Sequence, residues 1–496
     1  MSLPSAKSLP VPTSLRWALV LLGCAFALAV TPGAASAKAP APLTTGITNP
    51  GSDEQVVFDR TKAAGAGFVR IPLEWPHIAP QAQPASWNPE DPADPNYRWQ
   101  DADIEVARAV EAGLVPVLQI DGVPTWAQRC QTPAVLPDAV CDPDPAALAS
   151  FSTAAARRYS GKFLNLPRVR YWQGLNEPNL SLFFFPQYDT EGHALSPGLY
   201  RALINSFYGA VKGVDPSNLV LAAGLGPIAV KSWTIGPMQF ARTMLCMTGG
   251  KNPKPMKGNC EGGVDFDIFA IQPYTTGGPT HEGGVNDVEL GDLPKLQELI
   301  AAADRAGRIN SQFKHTPLWI TEFSWDSQPP DPGGLPMDIL THWTSEALYT
   351  AWSAGVSHFF WYSLRDGLHQ PGQSYSDTLE SGLYFRSGAE VQQDQPKEVL
   401  YAFRFPFVAF AKPKGLFFWG RTPESTPGKV AIQVYQGGKW RNVETVKASK
   451  AGMFTGTAPS HYGKGQKGYA RALYRGQNSL SFSMKPIPDF RHSPFG

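Results

Sequence analysis

The chain of 496 residues has almost no net charge: 43 lysines and arginines stand against 42 aspartates and glutamates, a formal +1. No Lys/Arg cluster stands out. Neutralising a phosphate backbone needs concentrated cations, so nucleic acid is not an expected partner. The nine histidines include no His-Glu-x-x-His pair, which sets aside a zinc hydrolase of that kind. Gly-x-Ser-x-Gly and Walker-type loops are missing, and no Gly-rich dinucleotide turn follows the first candidate strand. Beyond the N-terminus no apolar run is long enough to span a membrane. Nothing in the sequence asks for a cofactor, and nothing in it signals an oligomeric state.

Cysteine is also scarce, with five in the chain. The first 37 residues read as a secretory signal: Lys7 and Arg16 are positive, Trp17 to Val30 is apolar, and Ala35-Ser36-Ala37 is a small-residue cleavage site. Cleavage there removes Cys24 and implies a secreted or cell-envelope protein. Cys130, Cys141, Cys246 and Cys260 remain, an even number in an oxidising compartment, with three pairings open to them. The local pairs Cys130–Cys141 and Cys246–Cys260 each close a short loop rich in Pro or Gly and are the expected ones. A metal site is the weaker reading, because no Cys-x-x-Cys occurs and no His sits at ligand spacing.

What is present is the composition of a globular protein, 43% hydrophobic and 17% charged, on a chain long enough for a large domain and a smaller one. From residue 43 to about 405, short β-branched runs alternate with longer helical patterns. That alternation signals βαβ units and a parallel sheet. The candidate strands are Thr44–Thr48, Phe68–Pro72, Val115–Ile120, Val169–Gly174, Leu219–Ala223, Ile268–Gln272, Leu318–Thr321 and His358–Tyr362. Helical patterns lie between them at Ala102–Ala112, Pro145–Tyr159, Pro197–Gly213, Leu293–Ala306 and Met337–Ala354. Eight such units predict a (β/α)8 TIM barrel over residues 43–405 with insertions in its loops. The insertions at 76–100, with Trp87 and Trp99, and at 246–263 are either binding loops or decoration. After Pro406 short strands follow one another without helices, which predicts a small all-β, Ig-like sandwich over 411–496. It is either a carbohydrate-binding module or a packing spacer.

Two glutamates sit where a barrel presents chemistry, at the C-terminal ends of strands. Glu177 follows the fourth strand in Leu175-Asn176-Glu177-Pro178-Asn179, and Glu322 ends the seventh in Leu318-Trp319-Ile320-Thr321-Glu322-Phe323. Paired carboxyls are what cleavage of a glycosidic bond needs: one protonates the leaving oxygen, the other attacks the anomeric carbon or activates water. Fourteen tryptophans supply indole faces that suit the C–H faces of sugars, although most are expected in the core.

These segments, together with Val69-Arg70-Ile71-Pro72-Leu73-Glu74-Trp75 and Thr125-Trp126-Ala127, resemble glycoside hydrolase clan A, and most of all bacterial members of families 39 and 5. The resemblance covers the barrel and none of the C-terminal region. It implies Glu177 as general acid/base and Glu322 as nucleophile of a retaining glycosidase. Like charges that close do not both ionise readily, so Glu177 is expected to hold a proton. The resemblance also implies substrate-binding roles: Asn176 on the sugar 2-OH, Tyr274 as a donor to the nucleophile, and Trp361 as the aromatic floor of the subsite. Arg70 would hold Glu322 ionised; its bland reading is a structural salt bridge, and for Tyr274 and Trp361 it is core packing. Related enzymes carry a histidine where this chain has Gln272, which can still hydrogen-bond but cannot titrate. Trp126 and Asp121 either line the cleft or serve as rim packing and a loop cap. The predicted activity is hydrolysis of a β-linked oligo- or polysaccharide with retention. Transglycosylation by the same pair and a non-catalytic carbohydrate-binding barrel are the alternatives.

Overall fold

A computed structural model describes residues 40–51, 53–136, 139–230, 233–257, 262–375, 378–413, 415–459 and 468–495. The predicted secretory segment and Cys260, and with it the Cys246–Cys260 pair, lie outside the described residues. The other predicted bond, Cys130–Cys141, is formed.

Eight parallel strands close into a barrel: β1 (Thr44–Thr48), β2 (Phe68–Glu74), β3 (Val115–Asp121), β4 (Tyr171–Gln173), β5 (Leu219–Leu225), β6 (Ile268–Ile271), β7 (Leu318–Ile320) and β8 (His358–Tyr362). Each pairs with its neighbours in sequence, and β1 pairs with β8 to close the ring. A helix follows every strand: α1 (Gln55–Ala63), α2 (Gln100–Glu111), α3 (Pro145–Arg158), α4 (Ser196–Val214), α5 (Pro237–Met244), α6 (Leu293–Arg305), α7 (Met337–Ser353) and α8 (Glu398–Arg404). The starts are encoded locally. At α3 the Asp144 side chain accepts from Ala146 N at 2.9 Å, and Pro145 takes the first helical position, where no N–H is needed. The sequence analysis names no helix at α1, α5 and α8, which are nine, eight and seven residues long.

Side chains along a strand alternate between the lumen and the surrounding helices, with a period of two. The lower lumen is filled by Phe68, Val117, Tyr171, Trp319 and Phe360, with Trp319 stacked on His358 at 3.7 Å between ring centroids. The same parity carried upward brings Arg70, Gln119, Gln173, Gln272 and Tyr362 to the top of the barrel. An apolar plug below and polar groups above leave the C-terminal ends of the strands as the place for chemistry.

Beyond the barrel, β9 (Phe407–Lys412), β10 (Gly415–Arg421) and β13 (Met453–Ala458) form one antiparallel sheet. The second consists of β12 (Lys439–Ala448), β11 (Gly428–Gln436), β14 (Tyr469–Tyr474) and β15 (Gln477–Asn478), with β16 (Phe482–Ser483) also on β14. This is the expected Ig-like sandwich. Its first strand begins at Phe407, ahead of the residue 411 expected from sequence, because Phe407 already pairs with Gly420 of β10. Residues 40–496 form one compact unit, and apart from the lumen plug one apolar cluster runs through barrel and sandwich. Trp419 packs against Trp352 of α7 at 5.6 Å, and the buried Arg421 donates to Thr45 Oγ1 on β1 at 2.6 Å.

Candidate active site

Arg70 stands at the centre of the barrel mouth. Its parity on β2 points it into the lumen, and its planar fork reaches three acceptors: Nη1 to Glu322 Oε1 at 2.6 Å, Nη2 to Asn176 Oδ1 at 2.8 Å and Nε to Gln173 Oε1 at 2.9 Å. The Glu322 ion pair is buried on both sides, so it is a strong charge-assisted bond with good geometry. Gln272 Nε2 donates to Asn176 Oδ1 at 2.7 Å and to Glu322 Oε1 at 2.9 Å. Tyr274 Oη donates to Glu322 Oε2 at 3.2 Å. Burial and the nearby Glu322 charge push the Tyr274 phenol well above its ordinary range, so it remains a donor.

These contacts orient Asn176. Its Oδ1 accepts from both Arg70 and Gln272, which fixes the amide, and its N–H groups are left to the cleft that it lines. The sequence departure at Gln272 therefore fills its place with a neutral donor to both Asn176 and the Glu322 carboxylate.

Glu177 lies in the same cleft under opposite conditions. Its backbone is left-handed, with φ +40°, and Glu177 N donates to Gly224 O at 3.2 Å, which turns the side chain back over the mouth. Gly226 makes room for it: a Cβ there would lie 2.9 Å from Glu177 Oε1 and 2.8 Å from Leu180 Cδ1. Burial, then the Glu322 charge, raises the Glu177 carboxyl well above its usual range, with Arg70 opposing. Burial also raises the Glu322 carboxyl above its usual range, with Arg70 and the Tyr274 hydroxyl opposing the rise. Among the described residues, no side-chain donor reaches Glu177. Of the two, Glu322 has the cation and the donors that favour a charge, and Glu177 has the surroundings that favour a proton.

The cleft has a volume of about 650 Å³. Of the residues predicted from sequence, Arg70, Asn176, Glu177, Tyr274 and Glu322 line it, with Asp121 beside them and Gln272 just beneath. Two predicted residues do not. Trp361 is fully buried, donates from Nε1 to Ser381 O at 2.7 Å and packs 6.1 Å from Phe403, so it belongs to the core between β8 and the helices. The reason is parity: Trp361 has the parity of Phe359, whereas Tyr362, one residue on, shares that of Phe360 and faces the cleft. Trp126 donates to Pro80 O at 2.9 Å and joins Trp75 and Trp87 in an aromatic cluster away from the cleft. The insertion 76–100 feeds that cluster, with Trp99 stacked on Phe151, so it packs and lines no part of the cleft.

Residues missed from sequence complete the site. Gln173 reads in sequence as an ordinary strand residue, although its parity matches that of the lumen-facing Tyr171. Asn179 is fully buried: it donates to Gly226 O at 3.1 Å and accepts from Gly226 N at 2.9 Å, locking the Glu177 loop to the loop after β5. Leu182, Phe183 and Ile228 form an exposed apolar rim, and Ser493, Pro494 and Phe495, from far along the chain, form part of the wall.

No family model matches the chain, and no curated protein matches it. Among solved structures, it is similar to a family 39 glycoside hydrolase from the gut symbiont Bacteroides cellulosilyticus WH2. That match has a TM-score of 0.53 and 16% identity over 84% of this chain and 81% of the other. A GH39 β-xylosidase from Caulobacter crescentus gives a TM-score of 0.49 and 16% identity over 80% and 84% of the two chains. At such identities the first likeness shows the shared barrel fold.

Proposed function

We propose that this chain is a retaining β-glycosidase acting on a β-linked oligo- or polysaccharide. The observation that carries the reading is the pairing, in one cleft, of a carboxylate held by Arg70 with a carboxyl that no side-chain donor reaches among the described residues. Glu322, ionised and oriented by Arg70, Gln272 and Tyr274, attacks the anomeric carbon. Glu177, protonated, delivers its proton to the leaving oxygen as the C–O bond breaks. The glycosyl–Glu322 ester forms, and Glu177, now a carboxylate, takes a proton from the water that cleaves it. Asn176 offers its fixed N–H groups to the oxygen of the sugar 2-OH, which positions the anomeric carbon for attack by Glu322. The apolar rim of Leu182, Phe183 and Ile228 suits the C–H faces of an uncharged sugar. The fold likeness to a family 39 glycoside hydrolase and the sequence motifs around Asn176-Glu177 and Glu322 favour the same activity. We also read the N-terminal segment as a signal for secretion, which would bring the enzyme to polysaccharide outside the cell.

The test is a panel of aryl β-glycosides with the product anomer followed by NMR. Release of aglycone with the β-anomer formed first is the expected result. An α-anomer formed first, or no turnover across the panel, overturns the reading.

A further inference from the structure

The segment Asp489–Phe495 returns from the sandwich to the barrel mouth and is tied there at several points. Asp489 Oδ1 accepts from Gly278 N at 2.7 Å, and its Oδ2 lies 2.6 Å from His281 Nδ1, in the loop after β6. His492 N donates to Thr276 O at 3.0 Å, and Asp326 N, beyond β7, donates to Pro494 O at 2.8 Å. Phe490 packs against Trp343 of α7 at 4.8 Å. Glycine at 277 is part of the design, since a Cβ there would lie 2.5 Å from the His281 ring and 2.7 Å from Asp489 Oδ1. The outcome is that Phe495 lies edge-on to Tyr274, with ring centroids 4.7 Å apart at 62°, and lines the cleft. Tyr274 is the residue that donates to Glu322, so Phe495 stands one side chain away from the carboxylate.

Anchoring only the sandwich to the barrel would need Asp489 and Phe490 alone. The further residues carry an apolar ring to the wall of the cleft and are tied there to the loops after β6 and β7. A groove open at both ends lets a sugar chain pass through, whereas one walled at an end accepts a chain terminus. We infer that Phe495 is a specificity-determining residue. The wall built by Asp489–Phe495 closes the cleft beside Glu322, so that it binds the end of a β-linked sugar chain, with the C–H face of the bound sugar against Phe495. This inference rests on the glycosidase reading and adds to it an exo-acting mode.

The experiment uses the sugar that gives turnover on the aryl panel, as aryl glycoside and as an unlabelled oligosaccharide of several units. Wild type is compared with Phe495→Ala, Phe495→Leu and a chain ending at Pro488. Wild type is expected to release one product size from the earliest times. Phe495→Ala should raise KM about tenfold with kcat within about threefold and Tm unchanged, since one aromatic wall contact to the sugar is lost. Phe495→Leu should recover part of the affinity, and the shortened chain should yield mixed internal fragments. Internal fragments from wild type, or a Phe495→Ala KM within twofold of wild type, overturn the inference while leaving the glycosidase reading in place. Failure of wild type to act on any glycoside overturns both.

Discussion

Arg70 Nη1 lies 2.6 Å from Glu322 Oε1, and the same guanidinium also holds Asn176 and Gln173. One cation thus sets the charge of the carboxylate and the orientation of the amide beside it. Lysine keeps the charge but lacks the planar fork that serves three acceptors at once. Arg70→Lys is expected to lower kcat/KM by about 10²–10³-fold, the scale of losing a preorganised donor. Arg70→Met removes the cation as well, so Glu322 protonates more readily and the acid limb of the pH–rate profile moves to higher pH. An acid limb left in place in Arg70→Met contradicts this role.

The alkaline limb belongs to Glu177. Burial and the Glu322 charge raise its carboxyl, and the reaction needs it protonated, so activity is retained below its folded-state pKa and lost as pH rises through it. Glu177→Gln cannot transfer a proton. Its rate should fall by about 10²–10⁴-fold on glycosides with poor leaving groups and far less on activated aryl glycosides. Its alkaline limb should vanish. Persistence of that limb assigns the acid to another group.

Trp361 and Tyr362 separate stability from activity across one peptide bond. Trp361→Phe leaves Ser381 O without its donor and shrinks a buried side chain, a loss of about 1–3 kcal/mol seen as a lower Tm with KM unchanged. Tyr362→Phe removes a hydroxyl that faces the cleft and accepts from Asn49 Nδ2 at 3.3 Å. It should keep its Tm and lose about tenfold in kcat/KM, the scale of one hydrogen bond. The reverse pattern would put Trp361 back in the sugar subsite.

Asp326 sits buried after β7 with no hydrogen bond to either carboxyl oxygen among the described residues. Burial, then Glu380 and Asp331, raises its pKa to about 8 from the ordinary 3.8, against the opposing Lys397. Between those values the folded chain holds a proton that the unfolded chain has lost, so stability falls as pH rises through the window and levels off above it. Asp326→Asn mimics the neutral form. Its Tm relative to wild type should climb between about pH 4 and pH 8. A difference constant with pH rules out this titration.

The barrel was legible because its strands are apolar and its helices amphipathic, and both glutamates lie within four residues of a strand end, Glu322 after Leu318–Ile320 and Glu177 after Tyr171–Gln173. Parity within a strand was harder to read. In His358-Phe359-Phe360-Trp361-Tyr362 every residue is aromatic, so alternation leaves no trace and the subsite residue was placed one position early. Gln173 looks unremarkable until the barrel closes around Arg70. Phe495 could not be assigned from sequence at all, because its contact with Tyr274 spans more than two hundred residues and depends on the path of the chain after the sandwich.

The central claim is that Glu322 forms a covalent bond to the sugar. The direct measurement is peptide mass spectrometry after incubation with 2-deoxy-2-fluoro β-glycosides, whose fluorine slows breakdown of the glycosyl ester. The account predicts a single fluorosugar adduct on the peptide carrying Glu322, absent from Glu322→Gln, and partial return of activity to Glu322→Gly with azide. An adduct on a different residue, or a Glu322→Gln variant that turns over at the wild-type rate, contradicts it.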